Sequence, residues 1–319
     1  MFRLRACLLL LLLSLAVPAA AQFVQPVFLR QWGGFRSFFP GTFSFPDGIA
    51  VDAAGRVVVL DETPRVQVFS RDGAFLEQWG SAGTGDGQFQ SSALGIAFDA
   101  AGNAYLTDGG NDRVEVFDPH GTFLRAWGTA GTANGQFRNP QGITIGPDGL
   151  VYVVDRINGR VQVFTPEGVY LRRWTTTTGC AQIAHDAAGH LWITDVDYHR
   201  MREWGPVGAL LLAFGGEGSG PGAFSGPWGV AFDSGGRMFV ADGGNDRIQV
   251  FASDGTYLGS FGSPGTGPGQ FQLPRGLAID GDDNLYVTDY DNHRVQVFRT
   301  QIPVPTRAST WGQHKALYR

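Results

Sequence analysis

Residues 274–298 read Pro-Arg-Gly-Leu-Ala-Ile-Asp, then Gly-Asp-Asp, then Asn-Leu-Tyr-Val-Thr-Asp-Tyr, then Asp-Asn-His, then Arg-Val-Gln-Val-Phe. Three short apolar runs, each closed by turn-forming residues, spell three half-buried β-strands; none is long enough for an amphipathic helix. The first run recurs as Gly48-Ile49-Ala50-Val51-Asp52, Gly95-Ile96-Ala97-Phe98-Asp99, Gly142-Ile143-Thr144-Ile145, Gln182-Ile183-Ala184-His185-Asp186 and Gly229-Val230-Ala231-Phe232-Asp233. A second marker, Asp61, Asp108, Asp155, Asp195, Asp242 and Asp289, advances by 47, 47, 40, 47 and 47 residues. Beyond the third strand each copy has an Asp-Gly type turn, such as Asp72-Gly73 or Asp254-Gly255. A fourth strand follows, ending at Trp79, Trp127, Trp174, Phe214 or Phe261. Four antiparallel strands per copy make a propeller blade, and six copies make an all-β, six-bladed β-propeller.

The chain ends settle closure. The last copy reaches Val295-Gln296-Val297-Phe298 and then Pro303 and Pro305, without a fourth strand. The missing piece stands at the other end, where Phe28-Leu29-Arg30-Gln31-Trp32-Gly33 matches Phe75-Leu76-Glu77-Gln78-Trp79-Gly80. The N-terminal strand, Val27 to Trp32, is therefore expected to complete the last blade and leave no open edge.

These motifs, Pro-x-Gly-Ile-Ala, Tyr-Val-x-Asp and Asn-x-Arg-Val-Gln-Val-Phe in Pro140 to Phe164 and Pro274 to Phe298, resemble the NHL-repeat propellers of bacterial, exported type. The likeness spans residues 27–298 and implies the fold far more than a chemistry. Members of the family include RNA-binding modules, extracytoplasmic sensor domains and a lyase, because one scaffold carries many sites.

Residues 1–21 read as a signal peptide: Arg3 and Arg5, the apolar run Leu8 to Leu13, and the small residues Ala19-Ala20-Ala21. The propeller then occupies 22–300, and 301–319 form a C-terminal tail, basic and aromatic, suited to sorting or docking. Secreted, periplasmic or cell-surface placement follows, with no transmembrane segment after cleavage. Cleavage also takes Cys7, leaving Cys180 unpaired, so packing and not a disulfide must hold the fold. Without Arg3 and Arg5 the 22 basic residues face 29 acidic ones, a net of −7. Such a chain has no field to draw phosphate backbones, so nucleic acid is not an expected partner.

A residue present in every blade serves every blade. The pairs Asp108/Arg113, Asp155/Arg160, Asp195/Arg200, Asp242/Arg247 and Asp289/Arg294 are accordingly read as scaffold. Asn111, Asn158, Asn245 and Asn292 are expected to take left-handed turn conformations, and the fourth-strand tryptophans to pack under the Gly-rich links. Asp280-Gly281-Asp282-Asp283-Asn284 begins like a calcium loop, but Leu285 stands where that loop needs glycine. An acidic turn is the expectation. No nucleophile motif, phosphate loop or histidine spacing points to catalysis, and no metal or cofactor is expected.

Function should sit where the copies differ. The fourth copy is shortened in the link Thr175-Thr176-Thr177-Thr178-Gly179, carries Gln182 for glycine and His185 for an apolar residue, and has Asp197-Tyr198-His199 at the Asn turn. The face bearing the fourth-to-first and second-to-third links collects Arg156, Tyr198, His199, Trp228, Arg275 and Tyr290. Arg and aromatic side chains are the usual anchors of interfaces. The expected function is a monomeric, non-catalytic binding scaffold for a protein, peptide or glycan, its recess beside the short link. The alternative is a propeller lyase or hydrolase with a metal in the central channel; RNA binding ranks below both.

Overall fold

The computed structural model describes residues 23–35, 39–90 and 93–300; the expected signal peptide and tail lie outside them. Six four-stranded antiparallel sheets stand around one axis. Blade one runs from Ile49–Val51 to Phe75–Trp79, blade two from Ala93–Phe98 to Phe123–Trp127, and blade three from Pro140–Ile145 to Tyr170–Thr175. Blade four runs from Cys180–His185 to Leu210–Gly215 and blade five from Pro227–Phe232 to Tyr257–Phe261. Blade six takes Pro274–Ile279, Asn284–Asp289 and Arg294–Arg299 from the C-terminal end and Val27–Gly33 from the N-terminal end.

That last pairing is antiparallel, with Gln31 opposite Gln296 and Trp32 opposite Val295. The ring is thus closed by hydrogen bonds between sequence-distant strands, as the repeat of Phe28–Gly33 required. The core lies between blades. Val58, Leu60 and Val68 of blade one pack on Ile96, Leu106 and Phe117 of blade two, and Val295, Val297 and Tyr286 of blade six on Ile49, Val57 and Phe69 of blade one. Every blade needs its neighbour to bury its faces, so the ring is one cooperative unit.

The repeated Asp and Arg hold the Gly-rich links. In blade three Arg160 donates to Asp155 at 2.6 Å and to the carbonyls of Thr132, Ala133 and Gln136 at 2.8, 2.9 and 2.6 Å. Arg294 does the same for Thr266, Gly267 and Gln270. One guanidinium ties a loop of otherwise solvent-facing carbonyls to a buried carboxylate. The Asp280 to Asn284 segment is a turn: Asp280 accepts the N–H groups of Asp282 and Asn284, both at 2.9 Å, and pairs with Arg71.

Two sequence expectations are corrected. The left-handed residues are Asp112, His199, Asp246 and His293, one place after the Asn position. The asparagines instead donate, as Asn158 does to Asp155 and to the carbonyl of Gly131 at 2.9 Å, locking the turn to the link. The tryptophans lie against the Asp-Gly turn of the next blade, not under the links. Any side chain at Gly121 would collide with Trp79, whose ring sits 4.5 Å from Phe117. The links cover Phe43, Phe89, Phe137, Phe224 and Phe271, all fully buried.

Candidate functional site

The first strands of all six blades line an axial channel of about 330 Å³. Near their starts five of the six carry a glycine that lets neighbours approach: a Cβ on Gly229 would strike the carbonyl of Arg275, and one on Gly276 that of Asp47. Among the described lining residues His185 is the one titratable side chain. It sits at the far end, 3.1 Å from Thr144 Oγ1, and burial pushes its pKa down.

At the near end the symmetry breaks. The Arg156 guanidinium lies 5.6 Å from the Trp228 ring and the Arg275 guanidinium 4.7 Å from the same ring. Arg275 also stacks 3.5 Å over Tyr290. Beneath them Asp47, 2% exposed, accepts from Arg275 at 2.6 Å and from the Trp228 indole N–H at 3.0 Å. Burial pushes Asp47 up, against the pull of Arg275 and the two hydrogen bonds. Tyr290 donates to Glu62. Arg156 donates to Gln141 at 3.2 Å and lies 3.7 Å from Asp197. Asp47 thereby anchors Trp228 and Arg275 at one channel mouth, and Arg156 and Tyr290 stack against them.

Beside this cluster opens a recess of about 580 Å³. Val196, Asp197 and His199 of blade four, Ser225, Gly226 and Trp228 with Gly243 and Gly244 of blade five, and Leu273 to Arg275 line it. Thr175 to Gly179 do not themselves line it, but Gly179 accepts the Val196 N–H at 3.1 Å, so the short link stands directly behind its blade-four wall. Its opening comes from Gly243 and Gly244, which stand where blades three, four and six carry Arg156, Val196 and Tyr290. Blade two has the same pair, Gly109-Gly110, and it lines a hollow of its own with Arg138 and Asn139.

Of the six residues singled out from sequence, Arg156, Trp228, Arg275 and Tyr290 meet. His199 lines the recess, its left-handed backbone letting Nδ1 accept the Gly226 N–H at 2.9 Å. Tyr198 stands apart. It is 55% exposed and lies 4.9 Å from the guanidinium of Arg200. The short link gives Arg200 no Gly-rich loop to hold, and the arginine rests on Asp195 and this ring.

The NHL repeat family matches residues 137–164, 224–251 and 271–298, which are the third, fifth and sixth copies from link to third strand. No curated protein matches the chain. Several solved structures are similar. A catalytically inactive virginiamycin B lyase from Staphylococcus aureus with quinupristin shares 17% identity, covering 88% of this chain and 89% of that one, with a TM-score of 0.58. An auxiliary nutrient binding protein from Bacteroides ovatus shares 14%, covering 86% and 77%, with a TM-score of 0.65. Another so named, from Bacteroides thetaiotaomicron, shares 14%, covering 87% and 75%, at 0.62. At such identities the likeness is one of fold. The chain is thus a six-bladed β-propeller whose third, fifth and sixth copies match the NHL repeat.

Proposed function

We propose that this propeller is a binding module working outside the cytoplasm, taking a protein, peptide or glycan at the mouth framed by Arg156, Trp228, Arg275 and Tyr290. The observation that carries the reading is the convergence of two guanidiniums on one indole at the rim of an open recess. Stacked arginines present several N–H donors in fixed directions, the indole edge adds apolar area, and little side-chain entropy remains to be lost. The recess has the size of ligand sites, with Val196, Leu273 and Pro274 as its apolar wall. The fold does not choose between the lyase and the nutrient-binding names of its structural relatives. The segment 1–21 supports export, and 301–319 is the candidate docking or sorting tail.

Affinity capture from the extracellular or periplasmic fraction tests the site, comparing the native protein with Trp228→Ala and Arg275→Ala. Material retained by the native protein and lost by both variants, with melting preserved, is the expected outcome; each substitution should cost about 1 kcal/mol or more. Equal retention by all three proteins would place the partner elsewhere.

A further inference from the structure

We propose that blade four carries a divalent-metal site, built from Asp186, His190 and Glu203, at the turn between its first and second strands. Antiparallel strands put this turn on the face opposite the Arg–Trp recess, so the site is independent of the binding reading above. Each of the three residues offers one ligand atom, and these atoms lie within 4.8 Å of one another. His190 Nδ1 is 2.7 Å from Glu203 Oε1 and 3.8 Å from Asp186 Oδ2. Bonds of about 2.0–2.2 Å to one tetrahedral ion put neighbouring ligand atoms roughly 3.3–3.5 Å apart. Small side-chain rotations reach that spacing from here.

The repeat shows what is unusual. Asp186 is the turn aspartate of the other copies. In blades one and five its counterparts receive a guanidinium, Arg56 to Asp52 and Arg237 to Asp233, each at 2.7 Å. Blades two, three and six have Asn103, Leu150 and Asn284 at that position, and blade four has His190, whose Nδ1 meets Glu203 Oε1 at 2.7 Å and becomes a ligand once its proton is displaced by the ion. Glu203 stands where the other five blades have Val68, Val116, Val163, Val250 and Val297. That position faces the neighbouring blade, where a carboxylate without a counter-charge is costly. Two carboxylates thus face one imidazole, which carries at most one positive charge, and a divalent ion balances both.

The surroundings suit a ligand set. Asp186 Oδ1 is fixed by the N–H groups of Ala188 and His190, both at 2.9 Å, and its Oδ2 accepts the Trp192 indole N–H at 3.1 Å. Such outer contacts orient a metal-binding carboxylate. The carboxylates are 12–13% exposed and the imidazole 37%, which leaves an entry path and room for water at the remaining positions. One nitrogen and two carboxylates favour Zn²⁺ or Mn²⁺ over Ca²⁺, which wants six to eight oxygens.

The test is titration calorimetry on the untagged full chain, stripped with chelator, using Zn²⁺, Mn²⁺ and Ca²⁺ salts separately. One Zn²⁺ or Mn²⁺ per chain is expected, with a rise in melting temperature on adding that ion. Glu203→Val, which copies the other five blades, should bind at least about tenfold more weakly and melt no lower than the metal-free native protein. Should that variant fail to fold, His190→Arg, copying Arg56 and Arg237, must show the same loss. Absence of Zn²⁺ and Mn²⁺ binding, binding of Ca²⁺ alone, or binding undiminished in the folded variants would overturn the proposal.

Discussion

Blade two carries Glu115 where blades one, three, five and six carry Gln67, Gln162, Gln249 and Gln296. Each glutamine bridges a link to its own blade. Gln162, for example, accepts the Gly135 N–H at 3.0 Å and donates to the Gln136 carbonyl at 2.7 Å and to Asp155 at 3.2 Å. Glu115 keeps the acceptor half, from Gly87 N–H at 3.2 Å, but an ionised carboxylate cannot donate, and Oε2 has no hydrogen-bond partner. Arg113 is drawn 2.8 Å from Glu115 and stands 3.4 Å from Asp108, against 2.6–2.8 Å for the matching arginines of blades three, five and six. Burial pushes Glu115 up from 4.5 to about 7, partly offset by Arg113, and also raises Asp108. The folded pKa exceeds the unfolded one. The stability this group contributes is thus complete below about pH 4.5 and is lost progressively between there and about pH 7. At 1.36 kcal/mol per pH unit the loss is on the order of 3 kcal/mol. Glu115→Gln should remove that loss and restore the donor. We expect a gain of about 2–3 kcal/mol at pH 8.5 and a gain near zero at pH 4.5, where protonated Glu115 donates as glutamine does. Denaturant unfolding followed by tryptophan fluorescence at both pH values measures the difference, and other titrating groups cancel between the two proteins. A variant no more stable than the native chain at pH 8.5, or a gain that ignores pH, would refute the reasoning.

Other outcomes follow from the same geometry. His185 is lowered by burial, so its contribution is present above about pH 6.5 and lost as pH falls. His185→Phe, copying Phe98 and Phe232, should shrink the drop in melting temperature between pH 7.5 and 5.5, and an unchanged drop would count against it. Deleting residues 23–33 strips Arg294–Arg299 of its partner and uncovers the core cluster that Leu29 and Trp32 seal, so melting should fall sharply or the protein aggregate. A truncated chain that melts like the native one contradicts closure by that strand. Gly243→Val, copying Val196, has its Cβ 3.2 Å from the Pro274 carbonyl, a contact that a small backbone shift relieves. It should fill the recess and weaken capture of the partner while the fold persists, and full capture would move the partner off the recess.

What could be read beforehand and what could not divides along one line. Repeat spacing carries backbone information, so blade count, strand order and the borrowed strand Val27–Gly33 were legible, as was the scaffold role of Asp155 with Arg160. Two errors came from assigning a role to a residue by type. Asn158 was expected to be left-handed, but its amide is worth more as a double donor, and its following residue absorbs the unusual φ. Trp79 was expected beneath a link, but the turn glycine of the next blade, Gly121, offers a flat surface that only glycine leaves open. The recess was placed by a shortened link, which does back its wall through Gly179 and Val196, but the part that Gly243 and Gly244 play in lining it was not read. Asp186, His190 and Glu203 share no motif spacing, because it is the pairing of Trp192 with Glu203 across two strands that brings them together.

Blade four shows why departures from a repeat should be read in groups. Gln182 for glycine, His185 for an apolar residue, His190 where other copies have arginine, asparagine or leucine, Arg202 for glutamine and Glu203 for valine all fall in one copy. Taken singly, each looks like drift. Taken together, they divide by face and by compensation. Arg202 lies 2.9 Å from Asp195 and adds a cation to a carboxylate that Arg200 already meets at 3.0 Å, a trade that the short link explains, since Arg200 has no loop carbonyls to bind. His190 and Glu203 meet each other at 2.7 Å, but with Asp186 beside them they set two carboxylates against one imidazole, an excess of negative charge that packing does not ask for. In a ring whose other copies show what packing alone asks for, the substitution that packing does not explain is the one that points outward, to something the chain binds.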